Sequence, residues 1–207
     1  MLLCILNGGE GCIYIFRQRH NGVVRLLSHL SWLYAPGFIL NSSKLTKNKY
    51  TSSLILRAFI GVINKFQRRR GKWSFSHSEN ETLCAFTATK LIKSIGVDIE
   101  YVTRKPRESI ITYLGNNIGN NLIKTTLNPH EMAIIVMSCM ESAFKALSFS
   151  IKEDFSLYLF DVLLITENTC RLRIKLIKNE YFIANVHYVL NDRRVVSVCC
   201  VRNTDLT

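Results

Sequence analysis

The chain of 207 residues is 48% hydrophobic and 20% charged, which supplies enough apolar side chain for a core and excludes a disordered tail or a low-complexity scaffold. Lys and Arg total 27 against 15 acidic residues, and the formal charge of +12 favours anionic partners: nucleic acid, phosphorylated cofactors, acidic proteins or membrane surfaces. Seven cysteines without a CxxC pair argue against a zinc ribbon and a disulfide framework, and point to a reducing cytoplasm.

The opening MLLCILNGGEG has five apolar residues and no basic flank, too few for a signal peptide and far short of the roughly 20 that span a bilayer. Met1 to Phe16 is expected to form two short strands around Gly8, Gly9 and Gly11. The apolar stretch from Leu30 to Leu40, interrupted by Ser31 and Pro36, reads as core, so a soluble protein without a membrane span is expected. From Ser43 to Gln67 the pattern turns helical, with Tyr50, Leu54, Ala58 and Val62 on one face, and a basic knot of Arg68, Arg69, Arg70 and Lys72 ends it. Trp73 to Ser78, Thr82 to Phe86 and Ile95 to Val102 follow as paired strands. A short helix is expected to start at Pro106 and stop at Gly115. Asn128 as N-cap, Pro129 at the first helical position and Glu131 completing a capping box predict a helix to about Leu147. Cys170, Leu172, Ile174 and Leu176 alternate with Arg171, Arg173 and Lys175, the period of a half-buried strand. Tyr181 to Leu190 and Arg194 to Val201, joined through Asn191-Asp192, complete an antiparallel meander. The order of elements is that of an α+β protein, with two similar halves as one way to divide it.

Three segments carry chemistry. In Gly96-Val97-Asp98-Ile99-Glu100, strand alternation puts Asp98 and Glu100 on one face, with Val97, Ile99 and Tyr101 on the other. Two adjacent carboxylates repel unless a cation lies between them, and hard oxygen ligands at this spacing suit Mg²⁺; the ordinary reading is the acidic solvent face of an edge strand. Gly96, on the carboxylate face, would leave room for a ligand. On the capped helix, Glu141 and Lys145 are neighbours four residues apart. Such a pair is usually a surface ion pair worth about 0.3–0.5 kcal/mol. The apolar Ile134, Met137 and Phe144 make this helix mostly buried, where a carboxylate needs a partner, so Glu141 is a candidate third metal ligand. In Ser74-Phe75-Ser76-His77-Ser78, hydroxyls flanking an imidazole can bind phosphate oxygens, although such a histidine is more often structural. GxSxG, GxGxxG and Walker A motifs are absent, so serine-hydrolase, Rossmann and P-loop readings lack support.

In chain order, WSFSHS, then IGVDIE, then about forty residues later MESAFKAL resembles the 4′-phosphopantetheinyl transferases of the type represented by enterobactin synthetase component D. The resemblance covers roughly residues 44–202. It implies transfer of the phosphopantetheine arm of coenzyme A to a serine of an acyl or peptidyl carrier protein, with release of 3′,5′-ADP. It also implies a pseudodimer of two α+β halves, each a small antiparallel sheet packed on a long helix, here divided as 1–94 and 95–207. By position, Asp98, Glu100 and Glu141 would hold Mg²⁺ against the pyrophosphate, with Glu141 and Lys145 as catalytic residues. Lys47, Arg57, Lys72, Ser76 and His77 would contact the coenzyme. The chain departs from the pattern at Met140, where the family has a lysine, and at Met137, where it has an aromatic residue.

The expected partners are carrier domains of nonribosomal peptide, polyketide or fatty-acid synthases, in siderophore or antibiotic biosynthesis, served by a cytoplasmic monomer. A basic nucleic-acid-binding module, motivated by Arg68 to Arg70 beside Trp73, is the alternative, but RNP, KH and zinc signatures are missing. A degenerate homologue that binds carriers without turnover is a third reading, motivated by Met140.

Overall fold

Alternation of apolar and polar residues decides which strands lie on a sheet surface and which are sandwiched. The structure is a computed structural model that describes residues 2–7, 12–19, 71–78, 81–87, 89–103, 106, 108–117, 123–124, 127–151, 154–177, 180–191 and 194–206. Two sheets and two helices are built from them, an α+β architecture. The first sheet contains β1 (Leu2–Asn7), β2 (Cys12–Arg19), β3 (Lys72–His77) and β4 (Glu81–Thr87), antiparallel in the order β1-β2-β4-β3. The expected helix over 43–67, and with it Lys47 and Arg57, lies outside the described residues.

The second sheet has six strands: β5 (Ile92–Tyr101), β6 (Ile123–Lys124), β7 (Phe160–Thr166), β8 (Thr169–Lys175), β9 (Tyr181–Asn191) and β10 (Arg194–Arg202). Their order is β5-β10-β9-β8-β7-β6, antiparallel except where the short β6 runs parallel to β7. Helix α1 (Glu108–Asn117) and the longer α2 (Pro129–Leu147) complete the described elements. Neither is long and apolar enough to cross a membrane.

The capping box forms as its residues dictate. Asn128 Oδ1 accepts the Glu131 N–H at 2.9 Å, and Glu131 Oε2 accepts the Asn128 N–H at 3.3 Å. The apolar face of α2, from Ala133 through Leu147, packs on the inward residues Cys170, Leu172 and Ile174 of β8, Phe182, Ala184 and Val186 of β9, and Val195, Cys199 and Val201 of β10. Each leucine or isoleucine fully buried there contributes about 1.5–3 kcal/mol.

β5 departs from its expected pairing. It joins β10, with Asp98 opposite Ser197 and Val97 opposite Val198, and not the strands that precede it in sequence. Its residues from Ile95 to Ile99 are all buried because both faces are covered. Val97 and Ile99 pack against Leu83 and Ala85 of β4, while the opposite face meets α2. The division at 94/95 falls inside this strand. Gly115 does not stop α1, which continues to Asn117 with open space around Gly115.

β3 runs beside the free edge of β5 without a backbone ladder. Ser74 Oγ accepts the Val97 N–H at 3.1 Å and Ser76 Oγ accepts the Ile99 N–H at 3.3 Å. Side-chain hydroxyls thus satisfy edge donors that would otherwise be buried and unpaired.

Candidate metal centre and lysine cleft

Asp98 sits at the centre of β5, buried to 2% exposure, where a carboxylate needs compensation. Three donors supply it. Lys145 Nζ lies 2.8 Å from Oδ1, Ser76 Oγ donates to the same oxygen at 2.7 Å, and Ser138 Oγ donates to Oδ2 at 2.9 Å. Lys145 reaches over from α2 and also donates to the Val97 carbonyl at 3.1 Å. The ammonium therefore bridges helix and strand, a more enclosed role than the surface pair its spacing suggested.

Forty residues apart in sequence, Glu100 and Glu141 arrive at the same place. Each is half-buried, and one carboxylate oxygen from each of Asp98, Glu100 and Glu141 lies within 4.8 Å of the others. The donors are all hard oxygens. That set could hold a divalent cation such as Mg²⁺, whose retained waters complete its shell.

The close approach of α2 is what brings Glu141 to β5, and Gly96 permits it. A Cβ at Gly96 would lie 1.8 Å from the Ser142 carbonyl oxygen and 2.7 Å from the Ala146 nitrogen. The room that Gly96 leaves is filled by the helix backbone, which corrects the expectation that a ligand uses it. Ser94, on the same face, donates to the Ala146 carbonyl.

Beyond Lys145 opens a cleft of about 290 Å³, lined by Lys72, Lys93 and Lys145 together with Trp73, Ser94 and Phe149. Three ammonium groups around one cavity suit a ligand bearing several negative charges. Lys72 Nζ donates to the Thr89 carbonyl at 3.1 Å, and Lys93 lies 4.6 Å from the centroid of the Phe149 ring. Trp73 and Phe149 are both about half exposed, so aromatic surface is available beside the cations.

The other residues named from the sequence fall as follows. Ser76 is buried against Asp98 and Ile99, so its hydroxyl acts on the carboxylate. His77 is exposed, with Nδ1 3.0 Å from Thr82 Oγ1. Met140 is fully buried in the core and does not face the cleft. In β8, Arg173 pairs with Asp161 at 2.8 Å; Arg68 to Arg70, on which the nucleic-acid reading rests, lie outside the described residues.

Lys93, Ser138 and Ser197 were not singled out from the sequence. For Ser138 a signal existed: Ser138, Glu141, Ser142 and Lys145 form a polar stripe at i, i+3, i+4 and i+7 on an otherwise apolar helix. Cys84, Cys139, Cys170, Cys199 and Cys200 are free thiols, and burial pushes Cys84, Cys139 and Cys199 well up and Cys200 up to about 12, so these four stay protonated and unreactive. No family model matches the chain, and no curated protein matches it significantly.

Proposed function

We propose that the protein is a 4′-phosphopantetheinyl transferase that converts apo carrier proteins to their holo form, using coenzyme A and Mg²⁺. The observation that carries this reading is the meeting of Asp98, Glu100 and Glu141, with Lys145 reaching both Asp98 and a lysine-lined cleft. In this reading the two sheets are the cores of the two halves of a pseudodimer, and the coenzyme lies in the cleft between them.

Asp98, Glu100 and Glu141 would hold the cation, which when bound neutralises pyrophosphate oxygens and orients the leaving group. Lys145 and the cleft lysines bind the remaining phosphate charge and set the coenzyme's direction. Glu141 takes the proton from the carrier serine, directly or through water. That serine oxygen forms a bond to the phosphorus next to the pantetheine arm, while the bond from that phosphorus to the bridging oxygen breaks and 3′,5′-ADP leaves. The basic surface draws in acidic carrier domains over a long range.

The test is incubation with coenzyme A, Mg²⁺ and a panel of apo acyl and peptidyl carrier proteins, followed by mass spectrometry. A phosphopantetheine mass gain is expected, lost in Glu100→Gln and Glu141→Gln, whose half-buried positions spare the core. Unchanged carriers across the panel, or full activity in both variants, would overturn the reading.

A further inference from the structure

Helix α2 covers one face of the second sheet, and the first sheet packs on the opposite side at β5 and β10. The outward side of β8 and β9 stays open. Arg171, Arg173 and Lys175 project from β8 as exposed side chains. Their neighbours on β9 are Tyr181, Ile183, Asn185 and His187, all exposed as well.

Strand pairing sets these two rows side by side: Lys175 lies opposite Tyr181, Arg173 opposite Ile183, and Arg171 opposite Asn185. Same-face residues on a strand are about 6.7 Å apart and adjacent strands about 4.8 Å apart, so the cations run for about 13 Å beside a row of ring and polar groups. Arg173 is already held, by Asp161 at 2.8 Å and by the Tyr181 ring, whose centroid is 5.5 Å from its guanidinium. Arg171 and Lys175 have no carboxylate partner among the described residues. Tyr181 is 60% exposed, so a ring backed by a cation is presented to solvent. The exposed Glu167 and Glu180 bound the strip beyond its two ends.

The layout chooses among anionic partners. A second copy of the chain on this face would set cations against cations. A lipid surface rewards apolar side chains that project together, yet Ile183 and Val189 stand about 20 Å apart on β9 with Asn185 and His187 between them. An acidic peptide would satisfy the cations and leave the Tyr181 ring unused. A single nucleic-acid strand uses both rows, with phosphates along β8 and a base on the ring. Asn185, beside Arg171, offers both a donor and an acceptor, which a ribose 2′-hydroxyl can engage.

We infer that the outer face of β8 and β9 binds single-stranded RNA, with Arg171 and Lys175 on phosphates, Tyr181 stacked on a base and Asn185 on a ribose hydroxyl. The surface stands independently of the metal centre and of the reaction proposed above.

Fluorescence anisotropy on the full chain tests this, with a labelled oligoribonucleotide of about 10 residues made of A and C, which does not pair with itself. Binding is expected in the range of roughly 10⁻⁴ to 10⁻⁶ M at physiological salt. Arg171→Ala and Lys175→Ala should each weaken it and flatten the plot of log affinity against log salt by about 0.7, the share of one phosphate on a single strand. Tyr181→Ala should cost about tenfold, while Tyr181→Phe, which keeps the ring, should stay near wild type. The DNA strand of the same sequence should bind more weakly to wild type, and Asn185→Ala should remove that difference. Lys175→Glu should weaken RNA binding far more than Lys93→Glu in the cleft. All substituted residues are exposed, and unchanged melting temperatures would confirm that the variants fold. The inference is overturned if wild type does not bind the RNA, if RNA and DNA bind equally, or if Tyr181→Ala keeps wild-type affinity. It is also overturned if Lys93→Glu has the larger effect, or if polyglutamate or phosphatidylserine vesicles displace the RNA as readily as unlabelled RNA does.

Discussion

Gly96→Ala is a demanding test of the way α2 is seated. One added methyl would stand 1.8 Å from the Ser142 carbonyl oxygen, and an ordinary contact begins near 3.4 Å, so strand and helix must part by about 1.6 Å. Backbone atoms oppose the methyl, so no side-chain rotation relieves it. The separation would lift Ala143 and Ala146 off the sheet, opening a gap too small for water, and draw Lys145 and Glu141 away from Asp98. Overpacking of this kind costs about 1–3 kcal/mol, and contact with rigid backbone on both sides places it at about 3 kcal/mol or above. Urea unfolding followed by circular dichroism measures this, with Mg²⁺ titration of the folded fraction reporting the centre. A variant within about 0.5 kcal/mol of wild type and with unchanged metal affinity would show that α2 does not lie on β5 as described.

Three further outcomes are expected. Lys93→Glu, at the exposed rim of the cleft, should raise the KM for coenzyme A by about tenfold with little change in kcat, and equal KM values would remove Lys93 from the binding surface. Asn128→Ala should cost about 1 kcal/mol by ending the capping box, read as a lower urea midpoint; an unmoved midpoint would mean that the cap is not holding α2. The buried thiols make stability sensitive to alkali: Cys200 rises from 9.0 to about 12, and Cys84, Cys139 and Cys199 shift in the same direction. The unfolded chain releases these protons first, so stability is full below about pH 9 and declines above it, by up to about 1.4 kcal/mol per pH unit for each thiol. Urea midpoints that stay level from pH 8 to pH 11 would contradict this.

Local signals in the sequence were legible where one rule governs one element. The capping box fixed the start of α2 at Pro129, and the alternation around Cys170, Leu172 and Ile174 placed β8. The final hairpin formed as Tyr181–Asn191 and Arg194–Arg202. The partner of β5 was not legible, because pairing with β10 depends on contacts about a hundred residues away, and a strand buried on both faces loses the alternation that reveals register. The carboxylates were found as two separate motifs, and their convergence needed the packing of α2 at Gly96. Ser76 was read as a phosphate contact because the sequence could not reveal that β3 runs against the edge of β5. Met140 was read as a missing cation for a similar reason: its place on the inward face of α2 depends on the helix's rotation about its axis, which a motif alignment does not fix.

The seam between the sheets is stitched by the Ser74 and Ser76 hydroxyls and not by a backbone ladder, and one of those stitches is also a bond to Asp98. A joint of this kind is a mechanical coupling. Any ligand that shifts β3 relative to β5 must also retune the carboxylate, and any cation that pulls on Asp98 must tug on β3. Were the cleft and the metal centre both to take ligands, their occupancies would be linked equilibria, each changing the other's affinity by the same factor.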